Sequence, residues 1–499
     1  MNVLASVHEK KGLFEFLGAI RERLGTVVAS EGTAAYLEQK GIPCLRVGAI
    51  TGFSDLFSGR IKTLHPGIYA GILNPGDEPD DTMKRNGYMN FDIVISNLYP
   101  FAEAALSGDL DRMIENIDIG GVSLTRAAAK NYRRVAVLTD PADYDSVSGE
   151  ITSTGTLSHE TREKLAIKAF AKTSGYESLI YNRLADVTGK PVAGYFSISR
   201  SGGRKLRYGE NPDQSAEMFP DGSALGIPAA FQLSGKELSY NNIMDANAAM
   251  ESVFDLEGPS CVIVKHNIPC GAASAQSLRE AFVKALDSDR ESAFGSVVCV
   301  NGEIDMPTAE EMSNLFLEVV CAPGYRDNAY HLMRKKKNLR LLKFRYGKDD
   351  SMRIRSISHG ILVQSPLTPE YEKLECVTKV SADPSLLADL GFAWKVAARC
   401  RSNAMVLAKN LATVGVGAGQ TSRIESLRIA ARRAGERSRG SVLASDGYFP
   451  FSDSVKLAHE IGVAAIIQPG GSIRDKESIS AADELGIPMY FTGKRTFLH

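Results

Sequence analysis

The stretch Ser260–Ala272, SCVIVKHNIPCGA, carries the reading of the fold, because an apolar run there ends abruptly in reactive polar side chains. Cys261-Val262-Ile263-Val264 is short, largely β-branched and wholly apolar, the pattern of a strand buried on both faces. Lys265-His266-Asn267 stands where such a strand emerges, Pro269 and Gly271 signal a turn, and Ala272–Leu286 (AASAQSLREAFVKAL) has helical spacing. The expected unit is strand, polar loop, helix, and in open α/β sheets ligands gather at such carboxyl ends.

A lysine beside a histidine is useful when both reach a ligand. The imidazole moves a proton near neutral pH, and the ammonium keeps it neutral and stabilises developing negative charge. The plainer alternative leaves Lys265 in water and lets His266 cap the loop. Pro269-Cys270 invites comparison with the zinc-deaminase pattern, H-x-E followed by P-C-x-x-C. The fit fails: His266 is too close to Pro269, no Glu follows it by two, and position 273 is Ala. Zinc is therefore not expected.

Working outward, 499 residues with 44% hydrophobic and 23% charged side chains suit a globular protein of two or more domains. A formal net charge of -1 gives no general attraction to nucleic acid or to anionic membrane. The seven cysteines, at 44, 261, 270, 299, 321, 376 and 400, form no CxxC pair, which points to reduced thiols and a cytoplasmic setting. An N-terminus charged by residue 9 and the lack of any long apolar run predict neither an export signal nor a membrane span.

Residues 3–5, 13–24, 26–29 and 34–40 alternate between strand-like and helix-like periods, which implies a parallel sheet with helices on its faces. Ser30-Glu31-Gly32-Thr33 lies between a strand and a helix, where backbone N–H groups and hydroxyls can hold a phosphate, although Thr33 also suits a helix cap. Arg60, Lys62, Thr63 and His65 crowd beside Gly59 and Pro66, a set fit for an anion or for a solvated basic turn. A strand is expected over Asp92–Ser96, a helix after Gly120-Gly121, a strand over Arg133–Thr139 and a long helix over Leu157–Leu184. The Ser- and Gly-rich change of composition near 190–205 marks a domain boundary. Beyond it, Ala404–Ala408 and Thr413–Gly417 read as paired strands leading to a helix over Ile424–Ala434, and the alternation suggests two related α/β units within 206–499.

Twelve segments in order, GRIKTLHP, DIVISNLYPF, NIDIGG, RAAAKN, LRYGENP, LSYNN, VKHNIPCG, SAFG, APGY, VGAGQTSR, SDGYFPFSD and QPGGSIRD, closely resemble the bifunctional purine biosynthesis family that joins IMP cyclohydrolase to AICAR transformylase. The resemblance implies an α/β protein: an N-terminal methylglyoxal-synthase-like parallel-sheet domain over 1–195, a linker at 196–205, and a transformylase over 206–499 made of two cytidine-deaminase-like subdomains without zinc. It implies AICAR, formyl-AICAR and 10-formyltetrahydrofolate as substrates, room for a bound monovalent cation, and a homodimer with transformylase sites across its interface.

For formyl transfer the resemblance implies His266 as base, Lys265 as charge stabiliser and proton donor, and Asn403 orienting the formyl oxygen. Arg207 and Tyr208 would take the AICAR phosphate and ring, Arg423 and Asp453 further substrate groups, with Arg495 and His499 close by. For ring closure it implies Lys62, Tyr99, Asp118 and Lys130 in catalysis, Lys10, Ser30, Gly32 and Thr33 on the phosphate, and Arg60, Thr63 and Asn97 around the substrate. Three departures stand out. His8 replaces a hydroxyl residue, Glu31 stands where the phosphate loop has Gly, and Asp213 replaces the His of an NPHQ pattern. The first two raise the alternative of a transformylase with an impaired cyclohydrolase domain. A non-catalytic purine-nucleotide sensor is the remaining one.

Overall fold

Five short apolar runs, Val3–Val7 (β1), Val27–Ala29 (β2), Leu45–Arg46 (β3), Ile93–Asn97 (β4) and Ala136–Leu138 (β5), assemble a wholly parallel sheet in the order β3-β2-β1-β4-β5. All but the edge strand β3 are largely buried, because helices cover both faces. Leu13–Ala19 (α1) packs on one face, while Gly120–Lys130 (α3) and the 30-residue His159–Thr188 (α4) pack on the other; Glu31–Gln39 (α2) follows β2. The order reverses direction between β1 and β4, which opens a crevice at their carboxyl ends. This computed structural model describes all residues except 54–56, 58–59 and 77–80, so Gly59 lies outside the described residues. The chain divides into two units, Met1–Ser201 and Gly202–His499.

The second unit is built on one mixed sheet of twelve strands. In chain order these are Phe231–Ser234 (β6), Ser260–Lys265 (β7), Ile268–Ser274 (β8), Ser296–Val300 (β9), Leu317–Ala322 (β10), Arg340–Lys343 (β11), Glu375–Cys376 (β12), Met405–Lys409 (β13), Ala412–Gly417 (β14), Val442–Ser445 (β15), Ala465–Gln468 (β16) and Met489–Phe491 (β17). Across the sheet they run β12-β17-β16-β15-β13-β14-β8-β7-β9-β10-β11-β6. The central antiparallel pair β8 and β14 meets at Ala273 and Ala412. Outward from it both halves repeat one pattern: two antiparallel pairings, two parallel and a final antiparallel edge. Helices Tyr240–Phe254 (α5), Leu278–Ser288 (α6), Ser385–Ala398 (α7) and Arg423–Ala434 (α8) occupy matching places in the two halves.

The strand–loop–helix expected over 260–286 is not what forms. His266 and Asn267 take left-handed backbone angles, φ 51° and 60°, the two-residue turn whose twist suits a β-hairpin. The chain returns as β8 against β7, and the ladder slips between Pro269 and Gly271, where a residue without an N–H is tolerated. The alanines read as helical lie in the middle of the sheet, and α6 begins only after Ser277, whose hydroxyl accepts from the Glu280 N–H at 3.2 Å. Gly271 in β8 and Gly415 in β14 have a packing cause. A methyl on Gly271 would lie 2.0 Å from the Ala285 carbonyl oxygen of α6, and one on Gly415 would lie 2.1 Å from that of Ala430 in α8. Gly271→Ala is therefore expected to destabilise the protein by about 1–3 kcal/mol, because helix backbone rather than a flexible side chain must move; an unchanged melting temperature would contradict this packing.

Candidate active sites

In the first unit, the ends of β1, β2 and β4 and the start of α3 enclose a cavity of about 310 Å³. Lys62 and Tyr99 meet there, with Nζ donating to the phenol oxygen at 3.2 Å. Asp118 sits behind them, only 8% exposed, its Oδ1 accepting from the Gly121 N–H at 2.7 Å and its Oδ2 from the Tyr99 N–H at 3.2 Å. Burial raises its pKa, opposed by those two N–H groups and then by Lys62 and His8. Gly121 is required by this carboxylate, since a methyl there would lie 2.4 Å from Oδ2. The backbone N–H of Asp118 donates to the Tyr176 hydroxyl at 2.9 Å, which in turn donates to the Asn116 carbonyl at 3.0 Å. His8 sets its ring edge-on to Tyr99, centroids 5.6 Å apart.

Several expected residues line this cavity and others stand behind it. Ser30 and Arg60 line it, and Arg60 also pairs with Glu115. Asn97 lines it too, but its amide is committed to the backbone, accepting from His8 and Glu9 N–H groups at 2.6 and 3.1 Å and donating to the Glu9 carbonyl at 2.7 Å. Thr33 is buried and accepts from the Val7 N–H at 3.1 Å, while Thr63 is buried facing Gly120, its hydroxyl without a partner among the described residues. Gly32 lies in the exposed first turn of α2 with open space above it, and Lys10 donates to the His8 carbonyl at 3.1 Å. His65 caps the helix Pro66–Leu73 through Nδ1, which accepts from Gly67 N–H at 3.1 Å. Lys130 is the exception. It ends α3 and lines a separate cavity with Tyr69, Arg126 and Phe170, because ten residues of helix carry it away from Gly120. Glu31 turns from the crevice into an ion pair with Arg46 at 2.5 Å, shared with Glu38 at 2.6 Å.

In the second unit, the β7–β8 turn and the loop before β13 share one end of the sheet. A methyl on Gly419 would stand 3.8 Å from Arg401 Cβ and 4.0 Å from Ile268 Cδ1. Lys265 Nζ donates to the carbonyls of Phe294 and Gly295 at 2.7 and 3.0 Å, which uses two of its three N–H bonds. The rings of Phe294 and Phe316, 5.1 Å apart, stay exposed beside it. Asn403 is fixed on both sides: Nδ2 donates to the Gln420 carbonyl at 2.9 Å, and Oδ1 accepts from Arg423 Nη2 at 2.8 Å. Arg423 is itself buried and paired with the fully buried Asp446 at 2.5 Å, so its guanidinium braces Asn403. The C-terminal segment is held here as well, with Ser402 N–H donating to the Leu498 carbonyl at 2.9 Å, Arg495 over the Phe497 ring, and Arg355 donating to the His499 carbonyl at 3.0 Å. Asp453 opens the helix Asp453–Glu460 (α9), exposed, its carboxylate accepting from the Ser454 N–H at 2.7 Å.

Arg207 lies over the ring of Tyr208, its guanidinium 5.2 Å from the centroid. Arg340, from β11, faces the same pair; burial lowers its pKa, and Arg207 lowers it further against the pull of Glu318. Nothing in the surrounding NLRLLKF sequence marks Arg340, and Tyr176 is equally unmarked within α4; only the fold brings them to these sites. Among the described residues no group of three His, Cys, Asp or Glu is placed to hold a metal ion. No described helix is long and apolar enough to cross a membrane.

Residues 12–123 match the family model of the MGS-like domain, and residues 128–433 match that of the AICARFT/IMPCHase bienzyme. The bifunctional purine biosynthesis protein PurH of Ruminiclostridium cellulolyticum is 44% identical over 99% of this chain and 99% of its own. That of Persephonella marina is 45% identical and that of Bacillus cereus 42%, each with the same coverage of both chains. The crystal structure of ForH is 31% identical over 38% of this chain and 98% of its own, with a TM-score of 0.35. Since its relatives align with it from end to end, and the bienzyme model spans more than half of it, the chain belongs to the AICARFT/IMPCHase bienzyme family.

Proposed function

We propose that the first unit closes the purine ring and the second transfers the formyl group, so that one chain performs the family's two reactions at two separate sites. Those reactions end de novo IMP synthesis: a formyl group passes to AICAR from 10-formyltetrahydrofolate, and formyl-AICAR loses water to give IMP. The observation that carries the division is that each unit has its own candidate residues at strand ends, Lys62, Tyr99 and Asp118 meeting in the cavity of one, and Lys265 and His266 at the β7–β8 turn with Asn403 in the loop before β13 in the other.

The AICAR amine is a weak nucleophile because its lone pair is delocalised into the ring and carboxamide. His266 takes its proton as the C–N bond forms, and Lys265 uses its remaining N–H on the tetrahedral oxyanion or on the departing folate nitrogen. Asn403, braced by Arg423, offers its second amide N–H to the formyl oxygen. Arg207 and Arg340 suit the phosphate, Tyr208 the ring, and the exposed Phe294–Phe316 pair a flat cosubstrate. The matching halves of the twelve-stranded sheet support the reading of two cytidine-deaminase-like subdomains, and a homodimer remains part of the proposal.

Ring closure is intramolecular, so holding the carboxamide nitrogen against the formyl carbon supplies much of the acceleration. Lys62 and Tyr99 stabilise charge on the formyl oxygen. Asp118, whose pKa burial raises, gives a proton to the departing hydroxyl. Ser30, the start of α2 and Arg60 take the phosphate, with Lys10 near its edge. Because Glu31 is drawn to Arg46, Glu31→Ala is expected to change the KM for formyl-AICAR by less than about twofold, as exposed pairs contribute little; a tenfold change would place the carboxylate at the phosphate. The whole reading is tested by incubating the protein with AICAR and 10-formyltetrahydrofolate and following products by mass. IMP without lasting formyl-AICAR is expected, and formyl-AICAR alone would refute closure by the first unit.

A further inference from the structure

The geometry points to Asp245 as the positioning residue for His266, acting through the backbone of the His266–Asn267 turn; this rests on the reading of His266 as the base of formyl transfer. Asp245 lies in α5, whose first turn is fixed by a reciprocal cap: the Ser239 hydroxyl accepts from the Asn242 N–H at 3.1 Å, and Asn242 Oδ1 accepts from the Ser239 N–H at 3.2 Å. From there Asp245 Oδ1 accepts from the Asn267 N–H at 2.6 Å. Two successive non-glycine residues in the left-handed region cost free energy, and a carboxylate on their N–H groups offsets it.

The other half of the sheet contains the same device. Asp389 in α7 accepts from the N–H groups of Asn410 and Leu411 at 2.8 and 2.6 Å, and those residues form the β13–β14 turn with φ of 54° each. Asp245 to His266 and Asp389 to Asn410 are each 21 residues apart. Lysine tethers correspond as well: Lys409 Nζ donates to the Arg439 carbonyl at 2.9 Å, beside the left-handed Gly440, as Lys265 does beside the left-handed Gly295. The hairpin registers also agree, with Lys265 opposite Ile268 and Ile263 opposite Gly271 in one, and Lys409 opposite Ala412 and Leu407 opposite Gly415 in the other.

Carboxylate and lysine are therefore features of the repeated hairpin, and the imidazole is what distinguishes the first copy. At that copy the clamp does two things. It fixes the backbone from which the imidazole projects, and it places a carboxyl group beside it, with Glu318 behind Asp245.

The test compares Asp245→Asn with its counterpart Asp389→Asn in the full-length protein, measuring formyl transfer, ring closure of supplied formyl-AICAR, and melting temperature. D245N is expected to lower kcat for transfer roughly 10- to 100-fold, to keep the KM for AICAR within about twofold, and to leave closure unchanged. D389N is expected to lower the melting temperature and to leave kcat for transfer at its original value. D245E keeps the carboxylate but displaces it by one methylene, so it is expected to lower kcat for transfer while the KM for AICAR holds, and it serves if D245N does not fold. Wild-type kcat in D245E, or a D245N whose only change is the melting shift seen in D389N, would overturn the proposal. If His266→Ala itself retained transfer, the reading of His266 would fall instead.

Discussion

Replacing His266 by Ala is expected to lower formyl transfer by roughly 10²–10⁴-fold, the range general-base catalysis supplies, and to leave closure of supplied formyl-AICAR at its original rate. The imidazole sits at the tip of a hairpin with no backbone neighbour of its own to supply a base, and Lys265 cannot replace it while two of its N–H bonds are spent on the Phe294 and Gly295 carbonyls. The fold should survive. Ala in a left-handed turn is strained by about 1 kcal/mol relative to a residue that tolerates it, which a unit of this size absorbs. Steady-state rates for the two half-reactions, measured separately, check both statements. Loss of closure together with transfer would mean that the substitution acts through folding.

Asp118→Asn is expected to do the converse, lowering closure by roughly 10²–10³-fold while transfer persists. The carboxylate holds two backbone N–H groups with its two oxygens, and an amide has only one acceptor, so the melting temperature should fall as well by the equivalent of about 1–3 kcal/mol. The pH dependence follows from the direction of the shift. Burial raises the folded-state pKa of Asp118 above its unfolded value, so ionisation opposes folding. The stability associated with the protonated group is fully present below the unfolded value and is lost as pH rises through the raised folded one. Closure in the wild type should decline over that same upper interval, where the proton to be donated has left. D118N should show neither dependence. A closure profile whose basic limb is identical in wild type and D118N would remove Asp118 as the donor.

The alternation of apolar strands with helical periods was enough to read the N-terminal sheet, because parallel strands buried on both faces leave continuous apolar runs in the sequence. The β13–β14 hairpin was legible for a related reason, two apolar runs flanking Asn410-Leu411. Its twin at 260–274 was not. Pro269 and Gly271 carry the usual marks of a turn, yet the turn falls on His266 and Asn267, and alanines that favour helix lie in β8, where Gly271 packs against the backbone of α6. The correspondence between the two hairpins depends on spacing, register and backbone angle, and the residues at equivalent positions mostly differ, so the alternation suggests two related units while no short exact repeat is visible in the sequence.

The site was legible where motifs cluster and obscure where long-range packing decides. Lys62, Tyr99 and Asp118 come from three separate segments and meet in one cavity. Lys130 was grouped with them by its segment alone, and the length of α3 carries it elsewhere. Arg423, expected at the substrate, is buried against Asp446 and donates to Asn403, a contact no local pattern shows. Asp245 and Arg340 carry no local signal, since each matters only through a partner distant in sequence.

The most direct test of two separate sites is complementation. H266A and D118N, each unable to convert AICAR and 10-formyltetrahydrofolate to IMP at the wild-type rate, are mixed as preformed proteins and IMP is followed by mass. Recovery of IMP formation in the mixture is the predicted result, because D118N supplies formyl-AICAR that H266A closes. A mixture no more active than either variant alone would contradict the division of the two reactions between the two units.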